Sequence, residues 1–195
     1  MLGHYKAPLH RVFDPVARLL LRMGARPNHL TVLGLGVSVA AAYVFSVGRL
    51  RWAAVLLAVA GLFDFFDGAV ARLAGSDSDY GAFLDSVVDR YSDVAVLLGV
   101  LVHYQHQGDM TGAVLTMAAL AGTVMTSYTK ARAQSIGVRC DIGVLERPER
   151  LIALIAGATF HVLTAVMALL AVLTNITALQ RIIYTRRIAR DTALR

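Results

Sequence analysis

Asp64 and Asp67 stand three residues apart at the end of an apolar run, GLFDFFDGAVARLAG, and Asp85, Asp89 and Asp93 recur every fourth residue in GAFLDSVVDRYSDVAVLLG. A carboxylate inside a spanning helix costs roughly 2.5–3.5 kcal/mol on insertion scales, so such acids are rare and usually functional. Spacings of three and four put each pair on one helix face. Only the short polar segment GSDSDYG joins the two runs, which makes them antiparallel neighbours, so Asp64, Asp67, Asp85 and Asp89 can converge. Like charges so close would hold protons, and a divalent cation removes that difficulty. Oxygen ligands without cysteine or a nearby histidine group suit Mg²⁺ or Mn²⁺. Two such ions about 4 Å apart can clamp a phosphoryl group. Salt bridges to Arg72 and Arg90 are the competing explanation, but two arginines cannot neutralise five aspartates.

The residues between the acids fit the same chemistry. Gly68 follows Asp67, and its missing side chain lets a ligand approach the backbone. Arg72 lies one turn further on, and its charge suits a phosphate. Gly81 opens a second gap where the next helix starts. Helix packing would explain any one of these glycines; their spacing among the acids suggests the floor of a site.

The elements that carry these residues are apolar helices. The 195 residues are 57% hydrophobic and 16% charged, with a mean hydropathy of +0.61, against about a quarter charged in a soluble domain. An all-α integral membrane protein is expected, as one domain over 1–195. Six spanning helices are predicted, near 29–48, 52–74, 80–104, 109–136, 148–162 and 164–188, with turn signals such as VGRLRW, HQGDM and GVRCDIGVLERP between them. No proline or polar cluster marks the join of the fifth and sixth. The segment before the first span, about 5–24, has no continuous apolar stretch of the signal-peptide kind. Its Leu9, Val12, Phe13, Val16, Leu19, Leu20 and Met23 recur at helical spacing with Arg11, Arg18 and Arg22 opposite, the pattern of an amphipathic helix lying in the membrane interface.

Basic residues cluster before the first span, between the fourth and fifth, and after the sixth, while Arg49 and Arg51 alone fall on the other side. The positive-inside rule then puts both termini and the acid-bearing loop in the cytoplasm of a multi-pass protein of the cell membrane. The net charge of +6 is accounted for by this distribution; no stretch interleaves cations with aromatics, so a nucleic-acid partner is not expected. Cys140 is the lone cysteine, which excludes an internal disulfide and a CxxC zinc site and reads as a neutral loop thiol.

The run D64-x2-D67-G68-x2-A71-R72-x8-G81-x3-D85-x3-D89 resembles the full signature of the CDP-alcohol phosphatidyltransferases, with no position missing. That resemblance implies transfer of a phosphatidyl group from CDP-diacylglycerol, with release of CMP. It implies two metal ions on Asp64, Asp67, Asp85 and Asp89, Asp89 also serving as general base. Contacts to the CDP-lipid fall to Asn28, His29, Leu30 and Thr31 in RPNHLTVLG and to Gly68, Ala71, Arg72, Ser78 and Gly81. A homodimer is implied as well. Asp93 lies outside the pattern and is expected only to support it.

A second cluster, SYTKARAQSIGVRCDIGVLERPERLI, is most similar to the phosphatidylinositol phosphate synthases of this family. By that likeness Ser127, Lys130, Arg150 and Arg181 would take the phosphate of a phosphorylated polyol, inositol phosphate first. Positive-inside charge is enough to explain Arg132, Arg139 and Arg186. Glycerol phosphate carries the same charge, so a phosphatidylglycerophosphate synthase is the alternative, as is an archaeal-type archaetidylinositol phosphate synthase using an ether lipid. A metal-ion transporter would spread its acids through the membrane depth, whereas these gather at one end.

Overall fold

The computed structural model describes residues 6–75 and 78–193, with side chains between 14 and 190, and all regular structure in it is helical. The order is α1 (Lys6–Arg22), α2 (Pro27–Ser46), α3 (Leu50–Ala74), α4 (Asp79–Gln107), α5 (Met110–Ser135), α6 (Arg147–Thr159) and α7 (Leu163–Ala193). Local chemistry sets the ends. Pro27 occupies the first turn of α2, where a missing N–H costs nothing. Gly75 and Gly108 close α3 and α4 in the left-handed conformation. The Ser78 and Asp109 side chains accept from Gly81 N and Gly112 N at 3.0 and 2.9 Å, capping α4 and α5.

Among the described residues, four helices, α2, α3, α5 and α7, are long and apolar enough to cross a membrane. The other two predicted spans differ for separate reasons. At 29 residues α4 is about 44 Å long, but it carries Asp79, Asp85, Asp89, Arg90 and Asp93. The 13 residues of α6 reach only about 20 Å, against a hydrocarbon core of about 30 Å. The chain is thus an all-helical, multi-pass membrane protein in which two helices do not meet the apolar length for a span on their own. The unmarked join falls at Phe160–Val162. His161 turns the chain there with φ of 58°, a left-handed conformation that histidine visits more readily than most residues.

Helices approach closely where side chains are small. At Gly99 of α4 a Cβ would collide with the Ala42 backbone of α2, and at Gly122 of α5 with Thr174 and Asn175 of α7. Across the second contact Thr126 Oγ1 donates to Thr174 O at 3.0 Å, and Asn175 Nδ2 to Ala118 O at 3.0 Å. The main core includes Phe45, Leu57, Val100, Met167 and Leu170. The outward faces are apolar too: Leu169, Val172, Ile176, Leu179 and Ile183 form an exposed stripe along α7, as a lipid-facing surface requires.

On α1, Ala17 is buried against Leu30, Ala69 and Val70, with Leu20 beside them, while Val16, Leu19 and Met23 remain exposed. Leu20 was expected on the membrane side and instead packs inward, because α1 rests on α3. The side chains of Leu9, Arg11, Val12 and Phe13 lie outside the described residues.

Candidate active site

Asp64, on α3, and Asp85 and Asp89, on α4, present carboxylate oxygens that all lie within 4.8 Å of one another. Asp67 stands outside this trio. Three residues along a helix is a rotation of about 300°, which brings it beside α2 while it still lines a cleft with Asp85. There it is buried, and Thr31 Oγ1 donates to its Oδ2 at 2.7 Å. Three of the four expected acids therefore converge, and the fourth stands one step aside under a hydroxyl donor.

A cleft of about 260 Å³ opens on the Asp67 side, lined by Pro27, Asn28, Thr31, Asp67, Gly68, Ala71, Ser78, Gly81, Ala82 and Asp85. Gly81 is closely surrounded: a Cβ would lie 3.1 Å from Ser78 Oγ and 3.7 Å from Asn28 Oδ1, so a side chain would press on that hydroxyl. Arg72 is exposed, and its Nη1 would be 3.5 Å from a Cβ at Gly68, so the guanidinium lies over that glycine. His29 and Leu30 fall outside the lining. His29 points to the exterior and Leu30 is buried against α1 and α3, the ordinary result of helical periodicity around Asn28 and Thr31.

The other side of the acid cluster is filled. Arg147, the first residue of α6, sets Nη1 2.6 Å from Asp64 Oδ1 and 2.8 Å from Asp89 Oδ1, with Nε 3.5 Å from Asp93 Oδ1. Arg150, one turn on and 7% exposed, places Nη2 3.3 Å from Asp93 Oδ2. Neither arginine's Nε has a hydrogen-bond partner, nor does the buried Asp85 Oδ1. A capping box fixes the start of α6: Glu146 N donates to Glu149 Oε2 at 3.0 Å, and the Glu146 side chain accepts from the helix in return. Of the expected arginine pairs, Arg90 Nη1 reaches Asp89 Oδ2 at 3.5 Å.

The donor set suits a divalent metal ion. Three hard oxygen ligands converge, and one buried carboxylate oxygen has no donor, a cost that a cation would relieve.

The residues expected to meet a second phosphate are arranged along α5. Arg150 lines a narrow cavity with Asp93, Thr123 and Arg147. Arg181 is buried and donates through Nε to Ile142 O at 2.8 Å and through Nη1 to Thr126 O at 2.6 Å. Lys130 Nζ is 3.2 Å from Asp141 Oδ1, and Ser127 is half-buried one turn before it. The hydrogen bond from Arg139 and the charge of Lys130 hold the Asp141 carboxyl below the usual carboxylate range. Leu145 N donates to Thr177 Oγ1 at 3.3 Å, so the segment between α5 and α6 is fastened to α7 at two points.

Arg147 is the site residue that the sequence did not reveal. It was grouped with the basic residues between the fourth and fifth spans, 83 positions from Asp64. Its position inside ERPERL, one helical turn before Arg150, was the available signal.

The comparisons with known proteins agree with this geometry. A family model, CDP-alcohol phosphatidyltransferase, matches residues 25–185. The chain is 36% identical over 190 residues to an archaetidylinositol phosphate synthase of Methanothermobacter thermautotrophicus, covering 94% of this chain and 93% of that one. It is 40% identical over 188 residues to a phosphatidylinositol phosphate synthase of Mycobacterium tuberculosis, covering 91% and 87%. Crystal structures of the M. tuberculosis enzyme superpose with a TM-score of 0.83. One has CDP-DAG bound, covering 90% of this chain and 94% of that one. Another is in complex with manganese and citrate, covering 88% of each. With the acid cluster, the glycine-floored cleft and these likenesses together, the chain belongs to the CDP-alcohol phosphatidyltransferase family and is an enzyme of that class.

Proposed function

We propose that the enzyme transfers the phosphatidyl group of CDP-diacylglycerol to inositol phosphate and releases CMP, as a step of phospholipid biosynthesis. The observation that carries the reading is the order of the parts. The glycine-floored cleft and the acid cluster share Asp85, and the buried cation Arg150 stands on the far side of the cluster. A donor diphosphate, a reaction centre and an acceptor phosphate would lie in that sequence.

Asn28, Thr31, Gly68, Ala71, Ser78 and Gly81 cradle the cytidine diphosphate, and Arg72 adds a positive charge at the open side. Leu30, buried against α1 and α3, holds the start of α2. Two divalent ions, Mg²⁺ or Mn²⁺, carried by Asp64, Asp67, Asp85 and Asp89, would neutralise charge on the diphosphate. Asp89 takes the proton of the acceptor hydroxyl on a carboxylate oxygen. The hydroxyl oxygen forms its bond to the lipid-side phosphorus while the bond from that phosphorus to the bridging oxygen breaks, and CMP carries the electron pair away. Arg150, with Ser127, Lys130 and Arg181 along α5, binds the acceptor phosphate through charge-assisted hydrogen bonds.

In this reading residues 1–195 form one domain. Helices α2 to α7 together traverse the cell membrane six times, α4 and α6 being sheltered by their neighbours, with α1 in the interface and both termini cytoplasmic. The exposed stripe of α7 meets lipid or a second copy in a homodimer.

The test is an acceptor screen with purified protein, labelled CDP-diacylglycerol and Mg²⁺. Inositol phosphate should be consumed, and inositol, glycerol phosphate and serine should not. Arg150→Gln should raise the acceptor KM at least tenfold with little change in the donor's. Use of free inositol as readily as its phosphate would overturn the acceptor assignment.

A further inference from the structure

Two residues at the acid cluster have no part in the transfer described above. Arg147 places one guanidinium nitrogen between Asp64 and Asp89, within 2.6 and 2.8 Å of the same carboxylates that are suited to a metal ion. A guanidinium and a divalent ion cannot share that space, and they repel each other. Asp93 is not among the three converging acids, yet it stands 3.5 Å from Arg147 Nε and 3.3 Å from Arg150 Nη2.

We propose that Arg147 competes with a divalent ion for Asp64 and Asp89 and is displaced when one binds, and that Asp93 is the carboxylate that receives it. The inference rests on the metal-site reading above and goes beyond it, since it assigns work to two residues that bind neither metal nor donor.

The physical argument has three parts. Three half-buried carboxylates, Asp64, Asp89 and Asp93, face one guanidinium, and Arg147 is the cation that touches all three. Its fit is incomplete: Arg147 Nε and Asp85 Oδ1 are both buried without a hydrogen-bond partner. The present pairing therefore leaves one donor and one acceptor unsatisfied, and exchange for a metal ion would relieve the acceptor. Finally, the displaced guanidinium has a destination. Asp93 already faces Nε, so a small rotation about the outer side-chain bonds would turn the interaction into a hydrogen-bonded pair without returning the charge to water.

The two residues should act on metal affinity with opposite signs. In Arg147→Gln the competitor is gone, and Mn²⁺ should bind about tenfold more tightly. In Asp93→Asn the displaced arginine loses its partner, and Mn²⁺ should bind several-fold more weakly. In the double variant the Asp93 effect should vanish, because no arginine remains to be received.

The experiment titrates Mn²⁺ into the full chain in detergent micelles and follows the free-ion paramagnetic resonance signal, with no substrate present. Arg147→Lys, which keeps a cation of shorter reach, should fall between wild type and Arg147→Gln and guards against a glutamine variant that does not fold. Arg90→Gln is the control; it removes a pair at 3.5 Å on a half-exposed side chain and should leave Mn²⁺ affinity within about twofold. Unchanged or weaker Mn²⁺ binding in both Arg147 variants would overturn the proposal while leaving the metal site standing. Absence of Mn²⁺ binding in every form, wild type included, would overturn the metal site and this inference with it.

Discussion

The two sides of the acid cluster are built on different principles. Toward α2 the site is open: a cleft of about 260 Å³, floored by glycines and rimmed by small polar side chains. Toward α6 it is closed, with Arg147 and Arg150 packed among Asp64, Asp89 and Asp93. The open side relies on absent side chains, so it can accept a large, flat group with little rearrangement. The closed side relies on charge, so whatever enters must replace an ion pair. Asp85 belongs to both. The contrast teaches that one continuous site can be built from shape on one side and from charge on the other.

The strongest break in that comparison comes from Asp89, which lies in the charged side and not in the cleft lining. Asp89→Asn keeps the shape and removes the carboxylate proposed as the base, and kcat should fall about a thousandfold, within the usual range for a lost general base. CDP-lipid affinity, measured by equilibrium binding, should stay within a few-fold. Loss of binding together with turnover would show that the two sides are not separable. On the open side, Thr31→Val takes away the hydroxyl that donates to buried Asp67 at 2.7 Å. A hydrogen bond to a charged group is worth about 1.5–3 kcal/mol. The donor KM should therefore rise roughly tenfold or more, and the acceptor KM should hold steady. Equal movement of both constants would erase the distinction. The smallest effect is expected at Arg139, 91% exposed and paired with Asp141 at 2.9 Å. Exposed pairs contribute about 0.2–1 kcal/mol. Arg139→Ala should keep activity and thermal stability close to wild type, and let the Asp141 carboxyl rise toward its ordinary range in a titration followed by NMR.

Local chemistry is what the sequence made legible. The acids, the glycines between them and the GSDSDYG turn act over one or two helical turns, and spacing alone places them. The orientation of Asp67 was less legible, because a three-residue step leaves the helix face ambiguous by about 60° and α2 decides which way it turns. Arg147 was legible only as one more cation of the ERPERL run. Its role depends on α6 packing against α3, a contact between segments more than eighty residues apart. The turn at His161 was hidden for the opposite reason: it is purely local, but uses a residue that carries no breaker signal. The fifth predicted span, 148–162, was the shortest of the six, and α6 ends sooner still, at Thr159, with 13 residues.

Cys140 lies fully buried in the segment that leads into α6, packed with Ala133, Val138, Ile142 and Tyr184, and its thiol is free. A maleimide can reach such a sulfur only when the segment lifts away from α7. The labelling rate of Cys140, divided by that of an exposed thiol under the same conditions, therefore measures how often this strap opens. Because the same strap delivers Arg147 to the acids, one native sulfur serves as a clock for the mobility of the charged half of the site, with no label introduced near the chemistry.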